Sequence, residues 1–167
     1  MDRRDFITRS ALFLLGCRIG TSPLPLLAGQ KRTGGTPPQI ILVIDDFGYS
    51  LKRARWFLDL DIPLTYAVLP QLARTRAVAA AAHAAGHEVM LHQPMEPLDA
   101  RFDPGPGALY AGARRDRICE ILERNLADVP GARGVNNHMG SLFTASRREV
   151  HDTLDILQER ELFFLDR

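Results

Sequence analysis

The stretch IILVIDDFGYS, residues 40–50, joins an unbroken apolar run to two adjacent carboxylates, Asp45 and Asp46. A run that is apolar at every position is typical of a strand buried on both faces, as in a parallel sheet covered by helices. Two neighbouring carboxylates repel and raise each other's pKa, so such a pair usually needs a cation or a proton. A plainer interpretation is that one carboxylate only caps the helix that Ser50 begins.

The remainder of the chain repeats this alternation of apolar strands and helical patterns. Strands are predicted at 39–44, 64–70, 87–92, 133–137 and 162–165, and helices at 51–60, 75–85, 114–127 and from Ser146, where Glu149 completes a capping box. The alternation predicts a parallel α/β sheet covered by helices, either open or closed into a barrel. Folds of this class bind ligands at the carboxyl ends of their strands.

The bulk composition is that of a globular domain. The chain has 167 residues, of which 46% are hydrophobic and 25% charged, enough for one domain with a sizeable core. The formal net charge of +1 gives no reason to expect nucleic acid or an anionic membrane surface as partner. No apolar run reaches the roughly 18 residues that a transmembrane span needs.

The first 28 residues have the pattern of an export signal and not of the fold. Arg3 and Arg4 precede Phe6, Ile7 and a short apolar run, which resembles a twin-arginine signal and implies the twin-arginine export machinery as partner. We therefore expect a periplasmic or cell-envelope protein, with residues 29–38 as a linker to a domain at 39–167. Cys17 ends a lipobox-like LLGC and is a candidate lipid anchor, unless cleavage occurs near Ala28. The alternative is a basic amphipathic N-terminus without export.

The unusual polar residues fall at the predicted strand ends. They are Asp45 and Asp46, His92 with Glu96 four residues later, the run Asn136, Asn137 and His138, and Asp166. Each residue alone has an ordinary structural explanation, but their joint placement favours a divalent metal site, most simply Zn²⁺. One carboxylate would bind the ion and the other would accept a proton from the water that the ion activates. Both can serve one site only if the backbone turns after the strand, as Phe47 and Gly48 permit.

Several short motifs resemble one known family. VIDDFGYS, AVLP, EVMLHQPMEP, PGPGAL, GVNNHMGSLFT and LFFLD occur in the order found in the divergent polysaccharide deacetylases, from Gln39 to the end of the chain. The resemblance implies a deformed (β/α) barrel, here an incomplete one of about five βα units, and hydrolysis of N-acetyl groups on amino sugars. It also implies Asp45 as the general base and Asp46 as a metal ligand.

Two departures from the family pattern affect the assignment. Related deacetylases have a second His on the third strand, where this chain has Glu96, so either Glu96 or His138 would complete the ligands Asp46 and His92. We favour His138 because a second imidazole is the closer chemical substitute, which leaves Glu96, Asn136 and Asn137 as substrate-binding candidates. Relatives also continue past LFFLD with further βα units, so we expect a truncated sequence that is active in its full-length form.

Two functions follow as hypotheses. The first is a metal-dependent hydrolase that removes N-acetyl groups from an envelope polysaccharide or amino sugar. The second is a non-catalytic envelope protein that binds a glycan or a partner through the same strand ends, which the altered third-strand motif favours. The length of the connection at 93–113, which is rich in Pro and Gly, indicates a lid or binding loop, or else a tolerated insertion.

Overall fold

Five strands and four helices alternate along residues 39–167, the part of the chain that the computed structural model describes. The predictions for the export signal at 1–28 and the linker at 29–38, including those for Arg3, Arg4 and Cys17, lie outside the described residues. The strands are β1 (Val43–Phe47), β2 (Thr65–Val68), β3 (Glu88–Met95), β4 (Ala132–Met139) and β5 (Phe163–Leu165). The helices are α1 (Leu51–Leu58), α2 (Thr75–Ala84), α3 (Arg115–Asp128) and α4 (Arg147–Gln158).

The strands form one parallel sheet in the order β1-β2-β3-β4-β5. Each strand therefore lies beside its neighbour in sequence, as in a barrel, whereas a doubly wound sheet reverses its direction part-way. Because β-strand to β-strand crossovers are right-handed, a sheet wound in one direction has its helices on one face. The predicted α/β class is confirmed, and the open sheet is consistent with an incomplete barrel.

The core lies between the sheet and the helices. Leu91 of β3 and Val135 of β4 are fully buried there with residues of α2, α3 and α4. Because side chains alternate along a strand, their neighbours His92 and Asn136 point to the opposite face of the sheet. The hydrophobic pattern of β3 and β4 thus fixes which polar side chains face away from the helices.

The predicted boundaries differ most at the ends of the strands. β1 begins four residues later than expected and includes both Asp45 and Asp46, while β3 and β4 continue to Met95 and Met139. Parallel pairing of β3 with β4 extends both strands, because Pro94 and Met95 lie opposite His138 and Met139. A strand's end therefore depends on its partner as well as on its own sequence.

The two predicted helix caps have different outcomes. Ser50 caps α1 as expected, since its hydroxyl accepts a hydrogen bond from the Arg53 N–H at 3.3 Å. The capping box at α4 is wrong: the Ser146 hydroxyl donates to the Leu142 carbonyl at 3.0 Å, and the Glu149 carboxylate accepts from the Gly112 N–H at 2.6 Å. The local pattern assigned the Glu149 carboxylate to the start of α4, but the carboxylate binds the loop before α3 instead.

Among residues 39–167, no helix has both the length and the apolar character needed to cross a bilayer.

Candidate metal centre

A distortion within β1 brings both adjacent carboxylates to the same site. The pairing of β1 with β2 shifts register between Ile44 and Phe47, and Asp46 has a φ of 62°. An Asp adopts this left-handed conformation more readily than most residues, because its short polar side chain tolerates it. The backbone therefore turns at Asp46 itself, one residue before the predicted turn at Phe47 and Gly48, and the second carboxylate returns to the face that carries the first.

Three side chains from three strands meet at this point. Asp46 Oδ1 lies 3.0 Å from His138 Nδ1 and 3.2 Å from His92 Nε2, and the two imidazole nitrogens are 3.1 Å apart. The three potential ligand atoms all fall within 4.8 Å of one another. His92 is fully buried, whereas the Asp46 side chain is 59% exposed, so the group is open to solvent on the side of the carboxylate.

Asn136 holds His92 in the form that a metal ligand requires. Its amide oxygen lies 2.9 Å from His92 Nδ1, and since an amide oxygen can only accept, Nδ1 carries the proton and donates. The lone pair is then on Nε2, the nitrogen that faces Asp46 and His138. Burial is the main influence on the pKa of His92 and lowers it, although the hydrogen bond with Asn136 acts in the opposite direction. A neutral imidazole is the form that binds a metal ion.

Asp45 stands beside this group without belonging to it. Its Oδ1 accepts a hydrogen bond from Asn136 Nδ2 at 3.0 Å and lies 3.9 Å from His92 Nδ1. Its Oδ2 forms an ion pair with the Arg167 guanidinium. Only 12% of the Asp45 side chain is exposed. The amide of Asn136 therefore connects Asp45 on one side with the imidazole of His92 on the other.

The three converging donors suit a divalent ion of the zinc type. Two imidazole nitrogens and one carboxylate oxygen are the donors of many catalytic zinc sites, which keep a further position open. Tetrahedral ligands at zinc distances are separated by about 3.3 Å, close to the separations within this group. Asp46, His92 and His138 thus fit such an ion, and the exposure of Asp46 leaves room for a further ligand.

Comparison with known proteins identifies the family of this chain. A family model described as divergent polysaccharide deacetylase matches residues 42–167. The chain belongs to the divergent polysaccharide deacetylases. The uncharacterized protein YibQ of Escherichia coli is 33% identical over 98% of this chain and 46% of its own length. An uncharacterized protein of Haemophilus influenzae is 32% identical over 77% of this chain and 45% of its own.

A solved structure of the same kind supports the fold. The crystal structure of the uncharacterized protein ATU2773 from Agrobacterium tumefaciens matches with a TM-score of 0.70 and 26% identity, over 75% of this chain and 52% of that one. The chain spans about half the length of the relatives that it matches. Divergent polysaccharide deacetylases are usually metal-dependent, in agreement with the group formed by Asp46, His92 and His138.

Glu96, the alternative ligand within this deacetylase domain, lies outside the metal group. Its Oε2 accepts a hydrogen bond from the Ala111 N–H at 2.8 Å, and its backbone carbonyl accepts from the N–H groups of Leu142 and Phe143. The ligand atoms that converge belong to Asp46, His92 and His138. Glu96 instead ties together the loops that follow β3 and β4.

Asn136 and Asn137, which stay predicted substrate-binding residues, both make hydrogen bonds within the domain. Asn136 positions His92 and Asp45, as described above. Asn137 Nδ2 donates to the Met139 carbonyl at 2.9 Å, and its Oδ1 accepts from the Arg167 N–H at 3.0 Å. Asn137 therefore holds Arg167, whose side chain reaches Asp45. The sequence contained one signal for Asn136, since this residue and His92 both fall at predicted strand ends. The register of β3 and β4, which the structure supplies, places the two residues directly opposite each other.

Proposed function

We propose that this chain carries the site of a metal-dependent hydrolase that removes N-acetyl groups from an envelope polysaccharide or amino sugar. The observation that carries the proposal is the convergence of Asp46, His92 and His138 beside a fourth group, Asp45, that belongs to no ligand set. A ligand group alone is compatible with a structural metal. The adjacent carboxylate adds a proton acceptor, which hydrolysis of an amide requires.

The residues divide the chemistry between them. Asp46, His92 and His138 would hold the ion. When bound, a divalent ion such as Zn²⁺ supplies a Lewis acid and lowers the pKa of water to about 7. Asp45 would take the proton from the attacking water, because its carboxylate lies beside the ligands without sharing their role. Asn136 keeps Asp45 and His92 in fixed orientations through one amide group.

Arg167 contributes to the orientation of the base. Its guanidinium pairs with Asp45 Oδ2, while Asn136 donates to Oδ1, so both oxygens of the carboxylate have a defined direction. The cation also offsets the charge of Asp45 next to Asp46. Each of the two adjacent carboxylates thus has partners that offset their mutual repulsion. Asp45 faces an arginine and an amide, and Asp46 faces two imidazoles.

Acetate release tests the proposal. The full-length protein, loaded with Zn²⁺, should release acetate from acetylated chito-oligosaccharides or peptidoglycan, and removal of the metal by a chelator should abolish the release. Asp45→Asn should keep the metal content of the wild type while acetate release falls by at least about 100-fold, the range of a lost general base. Acetate release that survives both the chelator and Asp45→Asn would exclude the proposed chemistry.

A second candidate function is non-catalytic binding of a glycan at the same site. Two observations favour it. Both carboxylate oxygens of Asp45 already have partners, Asn136 and Arg167. The third strand also has Glu96 where related deacetylases have a second His. The two functions differ in one measurement. A metal-loaded full-length protein that binds the oligosaccharide and releases no acetate is a binding protein.

We further propose that the protein acts in the periplasm or cell envelope after twin-arginine export, with Cys17 as a candidate lipid anchor. The support is the pattern of the first 28 residues together with a polysaccharide-related family.

A further inference from the structure

A cavity lies at the amino edge of the sheet, away from the metal centre. It has a volume of about 430 Å³ and is lined by residues 58–63, which lead into β2, and 85–87, which lead into β3. Cavities of this size hold small molecules. On β3 the candidate ligand His92 is four residues beyond Glu88, the start of the strand, and so about 13 Å further along it. The cavity is therefore separate from the site described above.

Two helices end at this cavity. α1 ends at Leu58 and α2 at Ala84, and the residues directly after each helix form the walls. The last carbonyl groups of a helix have no partner within the helix, and they give its carboxyl end a partial negative charge. Both helix ends therefore favour a cation in the cavity.

Two carboxylates add full negative charge to the same cavity. Asp59 and Asp61 both line it and are exposed. None of the ion pairs within residues 39–167 involves either of them. Leu60 and Ile62, each 46% exposed, alternate with them along the wall. The cavity thus combines negative charge with an apolar surface.

A buried hydroxyl without a partner lies below the floor of the cavity. Tyr66 is fully buried, and its hydroxyl makes no hydrogen bond within residues 39–167. The centroid of its ring is 5.2 Å from that of His87, and burial together with the charge of Asp59 raises the pKa of Tyr66 to about 12. Because His87 and Asp59 both line the cavity, the hydroxyl faces it. A buried polar group without a partner is costly, which indicates an occupant that completes its hydrogen bond.

The arrangement favours an organic cation over a metal ion. Within residues 39–167, the group of ligand atoms close enough to share a metal ion is that of Asp46, His92 and His138, and it includes no residue of this cavity. An ammonium group requires no such convergence, because its three N–H donors point in different directions and can reach separate acceptors. A carbon chain attached to it would also contact the apolar wall, which a bare ion would not.

We propose that this cavity is a second ligand site of the chain, which binds a small aliphatic amine. The ammonium group donates to the carboxylates of Asp59 and Asp61 and to the Tyr66 hydroxyl, while the carbon chain packs on Leu60 and Ile62. The inference is independent of the proposed function, because it uses no residue of the metal centre.

Calorimetric titration of the full chain with putrescine, a four-carbon diamine, tests the proposal. Putrescine should bind, whereas butanediol, its uncharged counterpart of the same length, should not. Asp59→Asn and Asp61→Asn should each weaken putrescine binding by about threefold or more, and the double variant by about tenfold or more. Asp103→Asn is the matched control, because Asp103 is an exposed carboxylate on the loop after β3, at the other edge of the sheet.

Tyr66→Phe tests the buried hydroxyl. The variant should bind putrescine about threefold or more weakly, because the ammonium group loses one acceptor. Thermal unfolding of the same variant should show no loss of stability, since the hydroxyl has no partner within residues 39–167. Weaker binding by a protein that is no less stable separates a ligand contact from a structural role.

Titration of zinc-free and zinc-loaded protein shows where the amine binds. Putrescine affinity should be the same in both, and zinc content should be unchanged in the two Asp variants. Equal affinity in wild type and the double variant overturns the inference, as does butanediol that binds as tightly as putrescine. Failure of putrescine to bind at millimolar concentrations also overturns it. An affinity that depends on zinc would place the amine at the metal centre and reject the cavity.

Discussion

The Nδ1–H of His92 donates a hydrogen bond to the side-chain oxygen of Asn136, on the neighbouring strand, at 2.9 Å. The nitrogen of the same amide donates to Asp45 at 3.0 Å. One uncharged side chain therefore sets the tautomer of a proposed metal ligand and the direction of the proposed base. Partners of this kind commonly change metal affinity by 10- to 100-fold when they are removed, although they never touch the ion.

Asn136→Ala should accordingly weaken zinc binding by about 10- to 100-fold, because His92 loses the acceptor that fixes its tautomer. A competition titration against a zinc-binding dye measures the effect. Asn137→Ala is the matched control, a buried amide in the same strand whose contacts are with Met139 and Arg167. Zinc affinity equal to that of the wild type in Asn136→Ala would contradict the role given to this residue.

Exchanging one candidate ligand at a time distinguishes His138 from Glu96. We expect His138→Ala to lose stoichiometric zinc, because one of three converging donors is missing. Glu96→Gln should retain it, since Glu96 lies outside the group and an amide oxygen can still accept from the Ala111 N–H. Metal analysis of the two purified variants decides between them. Zinc lost from Glu96→Gln and kept in His138→Ala would reverse the assignment.

Tyr66→Phe should leave the protein as stable as the wild type or stabilise it by about 1 kcal/mol. The Tyr66 hydroxyl is buried and has no hydrogen-bond partner among residues 39–167, which is costly. Its ring stacks on that of Phe47 with the ring centroids 4.5 Å apart, a contact that Phe retains. Thermal unfolding measures the difference. Tyr49→Phe is a matched control, because Tyr49 is 65% exposed and gains nothing from losing its hydroxyl.

The same substitution changes the response to alkaline pH. Burial raises the pKa of Tyr66 to about 12, from 10.0 in the unfolded chain. The folded state holds the Tyr66 proton more tightly than the unfolded chain does. The pH-dependent part of the free energy of unfolding that comes from Tyr66 is therefore constant below pH 10 and declines as the pH rises toward 12. Tyr66→Phe removes this decline. Parallel alkaline unfolding curves of wild type and variant would argue against a buried, neutral hydroxyl.

Replacement of Arg3 and Arg4 by lysine should retain the protein in the cytoplasm, because the arginine pair is the feature that the twin-arginine machinery recognises. Cell fractionation with an antibody to the domain measures the distribution. Arg9→Lys is the matched control, as it removes an arginine of the same segment outside the pair. Continued export of the Arg3→Lys, Arg4→Lys variant would reject the signal. Cys17→Ser tests the lipid anchor through the loss of membrane association.

The fold class and the position of the site could be predicted from local patterns. Alternating strands and helices specify a parallel sheet, and the carboxyl ends of parallel strands share one edge. Polar residues at the predicted strand ends, such as Asp46, His92 and His138, were therefore expected to meet, and the structure brings their potential ligand atoms within 4.8 Å of one another. These inferences use only the periodicity of the chain and the direction of its strands.

Which partner each polar atom takes depends on contacts between residues far apart in sequence. Asn136 and Asp45 are 91 residues apart and meet through the register of the sheet. Glu96 and Glu149 are bound by backbone N–H groups of the segment before α3, although their sequence patterns indicated a substrate contact and a helix cap. A carboxylate accepts from whichever donors the fold brings near it. The sequence thus determined the edge of the sheet at which the unusual polar residues gather, and tertiary packing determined which of them converge, which orient their neighbours and which support the loops.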